Sequence, residues 1–217
     1  MPSNLDFMSF THLHVHSSFS PLWGVHPPEA LCAAAKRLGQ RRLALTDRNG
    51  LYGIPHFLEA AREAGLSPLI GAEAVTGSHR AVLLARDAGG YANLCRLLSE
   101  LHCRSDFDLP GALARHREGL LVLTDDAGVL ASLRRRSKTG LYVELSPGHQ
   151  MHRALALARD LGLPPVATTR ALLLSPGDFE LHRVLRAIGL NTKLSRLAPE
   201  DTAREADRFL PAEKLSE

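Results

Sequence analysis

The sequence predicts an α/β fold built on a parallel sheet, and three observations carry that prediction. Short apolar runs of strand length alternate with stretches whose apolar residues recur at helical spacing. Glycine follows several of those stretches, at Gly39, Gly65 and Gly162, where a left-handed helix cap belongs. The runs themselves carry little polar alternation, as strands buried on both faces do. Seven such runs suit a barrel better than an open sheet.

The elements follow in order. Residues 10–15 read as the first strand. Residues 28–38 place apolar side chains on one helical face before Gly39, and 43–46 form a short buried strand. A second helix over 54–64 ends at Gly65 and leads into a strand over 68–72. Residues 81–85 read as a strand, 91–102 and 109–116 as helices, 120–123 as a strand and 129–135 as a helix. The basic cluster Arg134-Arg135-Arg136 with Lys138 fits a helix C-terminus, where cations oppose the dipole. Residues 141–145 read as a strand, 151–161 as a helix before Gly162, 165–168 as a strand and 178–188 as a helix. The similar fragments ending at Gly39, Gly65 and Gly162 are recurring αβ units with irregular spacing, not a solenoid repeat. After Leu190 the apolar period is lost. This divides the chain into a barrel domain over 1–190 and a polar tail, or truncated connection, over 191–217.

Composition narrows the class. The chain has 217 residues, 45% hydrophobic and 23% charged, enough apolar content for a sizeable core. No apolar run approaches the ~20 residues of a membrane helix, and the first nine residues lack a signal pattern, so a cytoplasmic, membrane-free protein is expected. Cys32, Cys95 and Cys103 show no CxxC spacing, which argues against a disulfide scaffold or a cysteine zinc site. A net charge of +3 permits contact with phosphate without requiring it. Seven Phe, three Tyr and one Trp offer few stacking platforms for a dedicated single-strand binder.

In a parallel barrel, chemistry gathers at the C-terminal ends of the strands. Polar residues collect there: His12, His14 and His16; Asp47 and Arg48; Glu73; Asp125 and Asp126; Glu144; Thr168, Thr169 and Arg170. Alternate residues of an extended strand share a face, so His12, His14 and His16 can converge on zinc, manganese or iron, with Glu73 adding an oxygen ligand. His79 precedes a strand and is either a rim residue or a turn residue. The 17–20 loop is polar, His149 and His152 sit at a helix start facing solvent, and Gly50, Gly53, Gly89 and Gly90 occupy turns without forming a phosphate loop.

These motifs, taken together, resemble PHP (polymerase and histidinol phosphatase) domains. The resemblance is to those at the N-terminus of bacterial DNA polymerase III alpha subunits, error-prone branch. It rests on His12-Leu13-His14-Val15-His16-Ser17, with Phe19 to Gly24 after it, and on Leu43-Ala44-Leu45-Thr46-Asp47-Arg48-Asn49-Gly50. Pro68-Leu69-Ile70-Gly71-Ala72-Glu73 and later colinear stretches extend it. The family implies a distorted (β/α)7 barrel and, in active members, three metals. His14, His16 and Glu73 stand at ligand positions, with His12, Asp47 and His79 as weaker candidates. Other ligand positions are substituted. Trp23 closes the first motif, and Arg48 follows Thr46-Asp47. Arg80 stands before the fourth strand, unless a one-residue shift brings in His79. Asp126 marks the fifth strand, and Arg170 with Leu172 replaces the final Asp-x-His pair. Arginine cannot ligate a metal and pairs with carboxylates instead. The expectation is that Arg48 and Arg170 fill the old cavity and pair with Asp47, Glu73 or Glu144. The resemblance then implies a non-catalytic structural or interaction module in DNA replication or repair. It would hold no metal, or one weakly bound zinc or manganese ion. Its partner would be a polymerase or another replication or repair protein, with DNA contact weak or indirect. The alternative is a metal-dependent phosphoesterase, a phosphatase or 3′–5′ exonuclease, with a reduced centre.

Overall fold

The computed structural model describes residues 10–147, 151–204 and 207–211. His149 lies outside these residues. Six strands form one curled sheet in chain order: β1 (Arg42–Leu45), β2 (Ser67–Val75), β3 (Arg80–Ala85), β4 (Leu120–Thr124), β5 (Leu141–Leu145) and β6 (Pro165–Ala167). Seven helices accompany them: α1 (Pro28–Arg37), α2 (Ile54–Ala64), α3 (Ala88–Cys103), α4 (Leu109–His116), α5 (Ala127–Arg134), α6 (Met151–Leu161) and α7 (Asp178–Gly189). This is an α/β half-barrel. Local chemistry sets the helix ends: Asp87, Asp108 and Asp126 cap α3, α4 and α5 with side-chain acceptors, and Gly65 closes α2 at φ 71°.

Two expectations are corrected. The sheet is not all parallel, because β3 runs antiparallel to both β2 and β4. Only residues 76–79 join β2 to β3, too few for the crossover that a parallel pair needs. Residues 10–15 also do not form a regular strand. Among the described residues this segment makes one isolated bridge, Val15 with Ala171. Side chains divert its ladder: the N–H of Val15 donates to Thr46 Oγ1 at 2.8 Å, and that of His12 to Gln40 Oε1 at 3.4 Å. The segment still lies along β1, since the N–H groups of Ala44 and Thr46 donate to the carbonyls of His12 and Val15.

The core lies on both faces of the sheet. One layer packs β2 to β5 against α3, α4, α5 and α6 around Leu83, Leu97, Leu113 and Leu130. Another packs Val15 and β1 against α1 and α2 around Leu31, Leu45 and Phe57. Inside the curl, Ala44, Val82, Leu84 and Leu123 fill the lower layer and leave the upper rim to polar side chains. The described residues beyond Leu190 pack back on this body. Leu173 bridges Arg208, Ala203 and Phe209 are buried, and the Ala203 N–H donates to His182 Nε2 at 2.9 Å. No described helix is long and apolar enough to cross a membrane.

Candidate metal centre

Backbone locking aims the histidines. Thr46 Oγ1 accepts from the Val15 N–H and donates to the Val15 carbonyl. On the other side, Ala171 donates to the His14 carbonyl and accepts from the His16 N–H. Clamped between β1 and Ala171, the segment turns His14 and His16 into a cavity of about 680 Å³, with Glu73 from β2 at its base. The described residues of the C-terminal segment, Thr202 and Asp207 among them, form one wall.

Within that cavity four atoms converge. His14 Nε2 lies 3.1 Å from His16 Nε2 and 3.4 Å from Glu73 Oε1, and His16 Nε2 lies 3.4 Å from Glu73 Oε2. Ligands of a tetrahedral zinc ion, each about 2.0–2.1 Å from the metal, stand about 3.3 Å apart. The spacing therefore fits one small divalent cation, and these three residues could hold it. His14 Nδ1 meets Glu144 Oε1 at 2.7 Å, the outer-shell carboxylate that typically orients a ligating imidazole. Thr168 Oγ1 donates to the same Glu144 oxygen at 2.6 Å.

Arginine supplies the other positive charges. Arg80 Nη1 lies 3.4 Å from Glu73 Oε1 and 3.2 Å from Glu144 Oε2, and its Nη2 lies 2.5 Å from Asp125 Oδ1. Arg48 Nε lies 3.5 Å from Glu73 Oε2, with the guanidinium 4.5 Å above the Trp23 ring. The expected pairing of Arg48 and Arg170 with Asp47, Glu73 or Glu144 thus holds only for Arg48 with Glu73. Arg170 reaches Asp125 instead, at 3.5 Å, from a left-handed backbone at φ 46°. Arg80 is the central cation, and the reason is topological. Because β3 runs against its neighbours, its first residue stands at the rim, where the others present their last.

The charge states follow from these contacts. Burial opposes charge on Glu73 and Glu144, but the imidazoles and Arg80 outweigh it and hold both carboxyls well below the usual range. Burial likewise opposes charge on His14, and Glu144 and Glu73 overcome it, so the His14 pKa rises. For His16, burial outweighs the pull of Glu73, and the nearby positive charges of His14, Arg48 and Arg170 add to it, so its pKa falls to about 3.

The remaining sequence-named residues separate into other roles. His12 does not join the group: its Nδ1 meets Thr169 Oγ1 at 2.8 Å, its ring packs against Phe10 and Phe209, and burial lowers its pKa to about 4. Asp47 accepts from the Ser17 N–H, Ser17 Oγ and Ser20 Oγ, fixing the loop that carries Trp23 to the rim. Asp126 caps α5 and meets His79 Nδ1 at 2.8 Å, so neither enters the cavity lining. Trp23 and Leu172 line the cavity. His152 is exposed on α6.

Comparison with known proteins agrees with this geometry. Residues 12–162 match the PHP domain family. The error-prone DNA polymerase of Symbiobacterium thermophilum is 33% identical over 254 aligned residues, covering 97% of this chain and 23% of that protein. The DNA polymerase III subunit alpha of Bacillus subtilis is 32% identical over 224, covering 89% and 20%. The chain therefore spans about a fifth of the length of these relatives. A solved two-domain protein from Bacteroides vulgatus, containing a predicted PHP-like metal-dependent phosphoesterase, shares the fold. It superposes with a TM-score of 0.53 at 16% identity, covering 73% of this chain and 50% of that one. The family match begins at His12, in the segment whose histidines enter the cavity, and runs on through all the strands but β6: this chain belongs to the PHP domain family.

Proposed function

We propose that this chain is a non-catalytic PHP module of the DNA polymerase III alpha and error-prone polymerase lineage, acting structurally or as an interaction domain in DNA replication or repair. The observation that carries the reading is Arg80, whose guanidinium lies against Glu73, Glu144 and Asp125 together. A fixed cation there neutralises the carboxylates that further metal ions would need. What is left is room for one ion, zinc or manganese, weakly held by His14, His16 and Glu73. Such an ion would act as a Lewis acid toward a phosphoryl oxygen. The chain's own residues do the rest: Glu144 orients His14, Arg80 balances the two glutamates, and Arg48 with Trp23 walls the cavity. Asp47, held by three hydrogen bonds, serves the Ser17–Ser20 turn rather than the ion. His12 and His79 serve packing and a helix cap. We read the 12–16 segment and the bridge at Ala171 as the closing part of a (β/α)7 barrel, with residues 191–217 as an appended segment whose described part packs against it. The partner would be a polymerase or another replication or repair protein of the cytoplasm, and DNA contact would be indirect.

The test pairs metal analysis with turnover. After a zinc or manganese soak and desalting, elemental mass spectrometry should find at most one ion per chain, lost in the His14→Ala/His16→Ala variant. Phosphatase and 3′–5′ exonuclease assays should show no hydrolysis. Hydrolysis by the parent chain that disappears in that variant would overturn the reading in favour of a reduced phosphoesterase.

A further inference from the structure

At the end opposite the metal centre, where β1, β2, β4, β5 and β6 begin and β3 ends, the core is unfilled. A second cavity, of about 520 Å³, lies there. Barrel interiors are ordinarily packed solid, yet Leu13, Leu69, Leu121, Tyr142 and Val166, which line this cavity, are only partly buried. Arg42 and Arg86 line it too. Arg42 shares the inner face of β1 with Ala44, and Arg86, the residue after β3, continues the face of Val82 and Leu84. Both are exposed, so two arginines stand at the mouth of an apolar cavity.

The charge around that mouth is lopsided. The helix ends and connections on this side of the sheet, residues 36–42, 62–67, 86–87, 115–119, 134–140 and 159–165, hold thirteen Lys and Arg against four Asp and Glu. The rest of the chain holds thirteen against nineteen. Of the thirteen cations at this end, only Arg115 forms an ion pair with a described residue. Cations in the last turn of a helix oppose its dipole, which accounts for Lys36, Arg37, Arg62 and Arg134. That account fails for Arg42, which begins a strand. It also fails for Arg86, which stands beside the N-terminus of α3, where the dipole disfavours a cation.

We propose that this end of the barrel takes an acidic peptide segment of a partner protein, with one large apolar side chain in the cavity and flanking carboxylates on Arg42 and Arg86. An apolar anchor in a pocket ringed by charge is the usual anatomy of a protein contact. Guanidinium groups pair with carboxylates through two parallel hydrogen bonds, and the wider basic end steers an acidic partner toward them. The cavity also selects peptide over nucleic acid. Apart from the two arginines, Tyr142 is the one lining side chain that can hydrogen-bond, so the polar edge of a base would enter unmatched. The proposal rests on the reading of the chain as an interaction module and gives that module a face.

Fluorescence anisotropy of two labelled peptides, Glu-Glu-Phe-Glu-Glu and Glu-Glu-Ala-Glu-Glu, titrated with the full chain at low salt tests this. The Phe peptide should bind, and the Ala peptide should bind more than about tenfold more weakly, because the cavity rewards the buried ring. Arg42→Gln/Arg86→Gln should weaken the Phe peptide by about tenfold, with an unchanged circular dichroism spectrum. Arg135→Gln/Arg159→Gln removes the same charge from exposed positions outside the cavity lining and should cost less. The proposal is overturned by no binding of the Phe peptide, by equal affinity for both peptides, or by equal losses in the two double variants. Decathymidylate bound more tightly than the Phe peptide would give the face to nucleic acid instead, and decanoate bound more tightly would make it a site for a small amphipathic acid. Metal content and hydrolysis are read separately, so a failure here is told apart from a failure of the module reading.

Discussion

Arg80 shows how one cation can hold several carboxylates together. Its guanidinium is about four-fifths buried and meets three carboxylates, two of them almost wholly enclosed. Burying that many like charges is tolerable only with a cation among them. Arg80→Ala should therefore cost about 2–4 kcal/mol, toward the low end for a broken buried pair because the guanidinium keeps some water. The lost charge can be supplied from outside. Zinc should raise the melting temperature of Arg80→Ala more than that of the parent, since Glu73 and Glu144 are then free for a metal. Paired thermal melts with zinc and with a chelator measure this. Equal zinc shifts in both proteins would sink the idea that Arg80 and a metal compete for the same carboxylates. The histidines of this site were legible because the HxHxH spacing is local. The dominance of Arg80 was not, because it depends on which strand Arg80 begins and which way that strand runs.

At the scale of elements, the caps and glycines carry separable predictions. Asp126 accepts from the N–H groups of Gly128 and Val129 and so opens α5. Asp126→Ala should cost about 1–2 kcal/mol, as lost caps do, while Asp126→Asn should recover most of it. Metal retention should be the same in all three proteins. A loss of bound metal in Asp126→Ala would instead make this residue part of the centre. Gly90 sets two effects against each other. Gly90 stands in the first turn of α3, where helix propensity still favours alanine, by at most the about 1 kcal/mol of a helix interior. An added Cβ at Gly90, however, would stand 2.0 Å from the Gly119 carbonyl oxygen. Backbone cannot yield as a flexible side chain can, so sterics should win and Gly90→Ala should destabilise by about 1–3 kcal/mol. A stabilised variant in urea melts would refute that close approach. These cases also explain which elements the sequence revealed. Helices ending at glycine were legible because the cap is encoded beside the helix, as at Gly65 and Gly162. The direction of β3 was hidden, because Ala81–Ala85 is equally apolar whichever way it pairs. The 10–15 segment misled because its extended pattern is real, while its N–H groups go to Gln40 and Thr46, residues far along the chain.

Across the whole molecule, the described residues after α7 reach back to the sheet and wall the cavity, and His182 is the pin. Its Nδ1 donates to the Trp23 carbonyl at 2.8 Å, and its Nε2 accepts from the Ala203 N–H at 2.9 Å. That pair of partners requires the neutral ring, because a proton on Nε2 would face the Ala203 N–H. Burial first, and the positive charge of Arg186 with it, keep the His182 pKa below its ordinary 6.5. The sign then follows: below 6.5 the released or unfolded chain takes up a proton that the packed chain refuses, so protons favour release. The stabilisation is complete above that pH and fades as pH falls toward the lower folded value. Acid should therefore loosen the 191–204 segment before it melts the sheet, and the cavity should lose a wall. Trp23, the chain's one tryptophan, lies edge-on to His182 with ring centroids 5.2 Å apart, so its fluorescence reports the event directly. Between about pH 7.5 and pH 5, emission should change with a midpoint under 6.5, while far-ultraviolet circular dichroism stays level. Amide exchange in residues 191–204, corrected for its intrinsic pH dependence, should rise in step. A flat fluorescence profile with constant protection would mean that His182 does not pin the segment, and that the apolar contacts of Ala203 and Phe209 hold it alone.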